Sequence, residues 1–147
     1  MVKKLIIQIF LGEEEKLVDY PQLFLKVEKQ LNEFPLFIKN KNSWINYSQD
    51  QGFKYIYIDN NNCNEYLGEY ADFYNSLEFV WMQIDFLRYL VINKIGGIYI
   101  DLDIEPKPET NLHDLLDMKY IINYWTNPKN GIREVTNSIL GSEPGEL

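Results

Sequence analysis

The sequence predicts an α/β domain, a sheet flanked by helices, spanning residues 1–147 as a single unit. Three observations predict it. Apolar strand-like runs alternate with segments of helical periodicity. The best-defined helix passes straight into a strand through a glycine pair, Gly96-Gly97. That strand, Ile98–Leu102, runs out into two carboxylates spaced one residue apart, Asp101 and Asp103. Such strand-end loops are where α/β domains carry function.

Taken in order, Leu5 to Phe10 is an apolar run broken only by Gln8 and ending at Leu11-Gly12, a buried first strand. Glu13 to Asp19 is an acidic connection. Pro21 suits a helix start, with Leu23, Val27 and Leu31 recurring on one face, and Pro35 closes that helix. Ser43-Trp44 opens a shorter helix that stops near Gly52. Phe53–Asp59 alternates and ends in asparagines, a second strand and loop. Tyr66, Tyr70 and Phe73 or Tyr74 suggest a short helix. In the best-defined helix, Asn75 and Glu78 have capping-box spacing, and Val80, Ile84, Leu87 and Val91 make an apolar stripe. Lys94 suits its last turn and Gly96 its terminus. Beyond a loop from Glu105 to Glu109 come a short helix around Leu112–Leu116, a strand Tyr120–Trp125 and another at Ser138–Leu140.

Composition narrows the function classes. A formal net charge of −8 argues against sequence-independent nucleic-acid binding, which depends on clustered Lys and Arg. The sequence has no apolar run of membrane-spanning length and no signal-peptide pattern. Cys63 is the only cysteine, which excludes an intrachain disulfide and makes a reducing, cytoplasmic setting the expectation. His113 is the single histidine, so a histidine-based metal site is not expected. Trp44, Trp81 and Trp125 read first as core aromatics, with Trp125 a candidate for acceptor contact at a strand end.

The chemistry-bearing residues lie between Asp85 and Asp103. Asp85 and Arg88 are three residues apart and share a helix face. Arg88 can hold a phosphate or orient Asp85, and Asp85 can accept hydrogen bonds from sugar hydroxyls. On an extended backbone Asp101 and Asp103 point to the same side, where two carboxylates can grip one hard divalent cation. The turn through Gly96-Gly97 can bring Asp85, Arg88, Tyr99, Asp101 and Asp103 into one pocket.

Asp85-x-x-Arg88 followed by Gly96-Gly97-Ile98-Tyr99-x-Asp101-x-Asp103 resembles the core motif of DXD-containing sugar transferases. The nearest likeness is to glycosyltransferase family 32, with its Och1-like mannosyltransferases and capsular polysaccharide sugar transferases, and the glucosylating clostridial toxins share that core. Ile6–Gly12, Ser43-Trp44 with Gly52–Tyr55, and Asn137–Gly141 resemble further family segments. The resemblance implies a GT-A-like (Rossmann-like) fold and a nucleotide-sugar donor, UDP- or GDP-linked. It also implies a glycan or other hydroxyl acceptor, a Mn²⁺ or Mg²⁺ ion and retention of anomeric configuration. It places Asp103 on the metal and Asp101 on the metal and ribose. Asp85 and Arg88 fall on the donor sugar, Tyr99 beside it, and Gln8, Ile9, Phe10 and Leu11 around the base. Two family positions differ: Ile7 stands for a histidine and Phe10 for a tryptophan. The resemblance further implies C-terminal metal-shell and acceptor-site residues with no counterpart before Leu147, which suggests a C-terminally truncated chain.

Two other readings stand beside this one. An apolar strand ending in Asp-x-Asp also marks phosphohydrolases of the haloacid dehalogenase type, although Glu105 stands where that motif expects Thr or Val. A non-catalytic nucleotide-sugar-binding module is the third.

Overall fold

In a computed structural model of the chain, residues 1–12, 31 and 34–147 are described. The expected acidic connection and, apart from Leu31, the helix expected after Pro21 lie outside them. Among the described residues the sheet has five strands, β1 (Leu5–Ile9), β2 (Lys54–Ile58), β3 (Gly97–Ile100), β4 (Tyr120–Thr126) and β5 (Arg133–Ser142). Their order is β2-β1-β3-β5-β4. β1 runs parallel to both β2 and β3, while β5 is antiparallel to β3 and to β4. The chain leaves β1 toward β2 on one side and returns to β3 on the other. The C-terminal ends of β1 and β3 therefore flank a topological switch point, where open α/β sheets form ligand crevices.

Four α-helices are described: α1 (Pro35–Gln51), α2 (Asn64–Leu67), α3 (Ala71–Ser76) and α4 (Val80–Ile95). Strand alternation sorts the core onto the two sheet faces. Ile7, Ile9, Tyr99 and Leu140 pack with Leu87, Val91 and Ile92 of α4 and with Leu67 and Tyr74. Ile6, Ile98 and Ile100 pack on the other face with Trp44 of α1, Phe53, Leu112, Leu116 and Ile121.

Several local expectations are corrected. Pro35 opens α1 at its first turn. Proline needs no N–H there, and it holds Phe34 out of the helical region at φ −118°, ψ 80°. The helix expected from Ser43 therefore begins at Pro35. It ends as expected at Gly52, which takes the left-handed conformation and donates its N–H to the Ser48 carbonyl. The Asn75–Glu78 capping box does not form. Asn75 belongs to α3, Leu77 turns extended, and α4 begins at Val80 after an extended Phe79 with no side-chain cap. The single helix suggested by Tyr66 to Tyr74 is broken into α2, a 3₁₀ turn at Gly68–Tyr70 and α3. β5 is ten residues long and extends well beyond Ser138–Leu140. Trp44 is buried, whereas Trp81 and Trp125 are exposed at 37% and 49%, so neither is a core residue.

The glycine pair is required sterically. Gly97 has φ +105°, and a Cβ there would lie 2.7 Å from the Leu5 Cβ and 3.1 Å from the Leu5 carbonyl oxygen. Gly96 has φ +72° and donates its N–H to the Ile92 carbonyl as α4 ends. The two glycines allow α4 to feed β3 beside β1 with no intervening loop.

Candidate active site

Strand alternation places Asp101 on the same sheet face as Tyr99, beneath α4. Arg88 of α4 is buried there. It pairs with Asp85 through Nη2 at 3.0 Å and with Asp101 through Nη1 at 3.2 Å. Its Nη1 also donates to the Asn137 carbonyl at 2.7 Å and to Asn137 Oδ1 at 3.2 Å. The guanidinium lies 4.6 Å from the centre of the Tyr99 ring. The Tyr99 hydroxyl donates to Asp101 Oδ1 at 2.5 Å, and Asn137 Nδ2 donates to Asp85 Oδ1 at 3.2 Å. Asp85, Arg88, Tyr99 and Asp101 are thus brought into one network, as their spacing predicts.

Asn137 completes that network and is the main participant the motif reading missed as a site residue. A bulge delivers it. β4 pairs Ile122 with Leu140 but Asn123 with Thr136, so Asn137, Ser138 and Ile139 bow out of the β4–β5 ladder. The bowed backbone gives its Asn137 carbonyl to Arg88 and its Ser138 carbonyl to the Asp101 N–H. Asn123 Oδ1 accepts the Ile139 N–H, and Asn123 Nδ2 donates to Ser138 Oγ. Irregularity in the edge hairpin therefore aims an amide at the carboxylate cluster. The only signal in the sequence was the resemblance of Asn137–Gly141 to a family segment.

Burial pushes the Asp101 carboxyl above the ordinary carboxylate range. Its hydrogen bond from Tyr99 and the Arg88 charge pull it back, while Asp103 and Asp85 push it further up. Burial likewise holds the Tyr99 hydroxyl well above its ordinary value, which keeps it a proton donor toward Asp101. One guanidinium pairs with two carboxylates while Asp103 adds its charge beside Asp101, so the cluster carries an excess of negative charge that a divalent cation would offset.

The strand that leads to Asp103 is shorter than the expected Ile98–Leu102. β3 ends at Ile100, and the chain turns at Asp101 with the Ile104 N–H donating back to the Asp101 carbonyl at 3.2 Å. Leu102 is buried in this turn and Asp103 is exposed, with its charge close enough to act on Asp101. The opening-strand residues also divide. The side chains of Gln8, Ile9 and Leu11 are buried, and of the four only Phe10 is half-exposed, edge-on to Phe34 at 5.7 Å. Gln8 works from below: its Nε2 donates to the Ile100 carbonyl at 3.2 Å, and its Oε1 accepts the Tyr55 hydroxyl at 2.8 Å. Asn60 and Gly12 exchange two hydrogen bonds that tie the end of β1 to the loop after β2.

Among the described residues, no group of three or more His, Cys, Asp or Glu side chains makes a ready-made metal cage. The donor set fits a different arrangement. Mg²⁺ is commonly held by one or two carboxylates together with substrate phosphates and water, and Mn²⁺ accepts the same oxygen ligands. Asp103, exposed, and Asp101, at the mouth of the buried network, supply two such carboxylates.

This is an open α/β sheet with an acidic, arginine-braced cluster at its switch point. Residues 35–124 match the glycosyltransferase sugar-binding region containing the DXD motif, and the chain belongs to that family. The fold is accordingly a GT-A-like α/β domain. Regions of this family generally bind a divalent metal. The chain is also 30% identical, over 98 residues covering 63% of its length, to an uncharacterised glycosyltransferase of Acanthamoeba polyphaga mimivirus. It spans 38% of that relative. No helix among the described residues is long and apolar enough to cross a membrane.

Proposed function

We propose that this chain carries the donor and metal site of a retaining glycosyltransferase of the family 32 type. In this reading it moves a hexose from a UDP- or GDP-sugar to a hydroxyl of a glycan or other acceptor, with Mn²⁺ or Mg²⁺. The observation that carries the reading is the buried Arg88 joined to Asp85, Asp101 and Asn137 beside Asp103, within a family defined by its DXD motif.

Each group has a distinct task. Arg88 is too buried to reach a phosphate freely, so it acts by fixing the two carboxylates beside it. Asp85 has a side chain 49% exposed, and its open oxygen can accept hydrogen bonds from donor-sugar hydroxyls. Tyr99 occupies Asp101 Oδ1, which leaves Oδ2 to face the ribose or the cation. Asp103 and Asp101 would hold the cation, which supplies charge neutralisation to the departing diphosphate. During transfer the anomeric carbon–oxygen bond to the diphosphate breaks and a bond to the acceptor oxygen forms, with the acceptor hydroxyl releasing its proton. Preorganised carboxylates favour the positive charge that develops on the sugar ring.

A second reading of the same site is a module that binds nucleotide-sugar without turnover, since the described carboxylates and Arg88 account for binding groups alone. A panel of UDP- and GDP-sugars with Mn²⁺ tests both, with nucleotide release and thermal shift as readouts. Metal-dependent release that disappears in Asp103→Asn supports the transferase. Binding with no turnover in the presence of acceptors supports the module. Phosphate release from simple phosphomonoesters, with no response to nucleotide-sugars, would instead favour the phosphohydrolase reading.

A further inference from the structure

Asp103 is exposed, yet the backbone that carries it is tethered on every side. Asn40 Nδ2 donates at 2.8 Å to the Leu102 carbonyl, the other half of the peptide unit that contains the Asp103 N–H. The next peptide unit is held by the Ile104 N–H donating to the Asp101 carbonyl. Trp44 Nε1 donates at 2.8 Å to the Ile104 carbonyl, fixing the unit after that. Asn40 and Trp44 stand one turn apart on α1, so they present two donors in line along the carboxylate turn.

Asn40 carries a second signal. It is 1% exposed, and its Oδ1 is buried with no hydrogen-bond partner among the described residues. A buried, unsatisfied amide oxygen weakens a fold, and a leucine of similar size would avoid the penalty. The position holds an amide whose one made bond goes to the turn between Asp101 and Asp103. This is the pattern of a residue retained for a site at the expense of stability.

We propose that Asn40 and Trp44 are positioning residues that clamp the Asp101–Asp103 turn from the α1 side and set the direction of the Asp103 carboxylate toward a divalent cation. The inference rests on the metal-site reading above. Outer partners that orient a ligand typically change metal affinity about 10–100-fold when removed.

The test uses Asn40→Leu and Trp44→Phe, which delete one donor each while keeping an apolar side chain, with Asn46→Ala on the exposed face of α1 as control. Amide hydrogen exchange on the metal-free protein gives the first readout. Exchange at Ile104, whose N–H is bonded to the Asp101 carbonyl, accelerates at least ~10-fold in both variants and stays unchanged in the control. Mn²⁺ binding followed by electron paramagnetic resonance, in excess UDP and in parallel in excess GDP, gives the second. Wild type and control bind alike, and the two clamp variants bind about 10-fold more weakly. Unchanged exchange in both variants overturns the clamp, as does unchanged Mn²⁺ affinity in both when wild type binds. If wild type takes up no Mn²⁺ with either nucleotide, the metal-site reading fails and the clamp's role toward a cation falls with it. The exchange data then still decide whether the tether exists.

Discussion

Replacing Arg88 with methionine removes a cation whose side chain is only 6% exposed, while leaving Asp101, 27% exposed, in place. Removing one partner of a buried ion pair typically costs about 3–5 kcal/mol, because the remaining charge stays desolvated. Partial exposure of Asp101 argues for the lower end, and the Asp85 arm adds little because that carboxylate is 49% exposed and well screened. The expected loss is roughly 3 kcal/mol, or about 6–12 °C in Tm for a domain of this size. The loss depends on pH in a defined direction. Burial already holds the Asp101 carboxyl above the ordinary carboxylate range, and loss of Arg88 raises it further. Ionised Asp101 is therefore what destabilises the variant, and the deficit relative to wild type is full at neutral pH and shrinks as acid protonates that carboxyl. Urea denaturation at pH 7 and at pH 4.5 measures both effects. Adding Asp101→Asn to Arg88→Met recovers part of the loss at pH 7. A loss below about 1 kcal/mol at pH 7, or an equal loss at both pH values, would refute the reasoning.

Other perturbations give separate checks. Gly97→Ala forces a side chain onto Leu5 at φ +105°, and should cost about 3 kcal/mol or more in urea denaturation, enough to leave much of the protein insoluble. Asn137→Ala keeps the carbonyl bond to Arg88 but removes both side-chain bonds, so stability falls by about 1 kcal/mol. With Asp85 less constrained, KM for the donor rises more than Tm falls. Spectrophotometric titration should find Tyr57 ionising at about 12, with Tyr55, Tyr74 and Tyr99 also above the ordinary tyrosine range. These raised values stabilise the fold fully below the unfolded tyrosine value. That contribution is lost as pH climbs from there through the folded values, so alkaline unfolding should release the buried tyrosines together.

The parts of the fold legible in the sequence are those governed by local pattern. β1, β2 and α4 follow from apolar runs and a helical stripe, and Asp85 meets Arg88 because three residues make almost one helical turn. Asp101 meets Arg88 because Gly96-Gly97 folds β3 directly under α4, a consequence that could be read from the glycines. What was illegible depends on non-local structure. Pro35 both ends helices and begins them, and only the chain's path decides which. Asn75 and Glu78 have the spacing of a cap, but the break at Leu77 gives Asn75 to α3. β3 stops at Ile100, and the turn that carries Asp103 is held at the Leu102 carbonyl by Asn40, 62 residues earlier. Asn137 reaches Asp85 through a bulge set by the β4–β5 register, 52 residues from its partner. Gln8 lies next to apolar strand residues and looked like a ligand contact, but cross-strand pairing turns it into a support for the end of β3.

The central claim is that Asp101, braced by Arg88, and Asp103 beside it form a cation-dependent nucleotide site. Calorimetric titration of wild type and Asp103→Asn with UDP and with GDP, each with and without Mn²⁺, tests it most directly. The account predicts binding of at least one nucleotide by wild type that requires Mn²⁺ and is lost in Asp103→Asn with the fold intact. Equal nucleotide binding with and without Mn²⁺, or full Mn²⁺-dependent binding by Asp103→Asn, would contradict it.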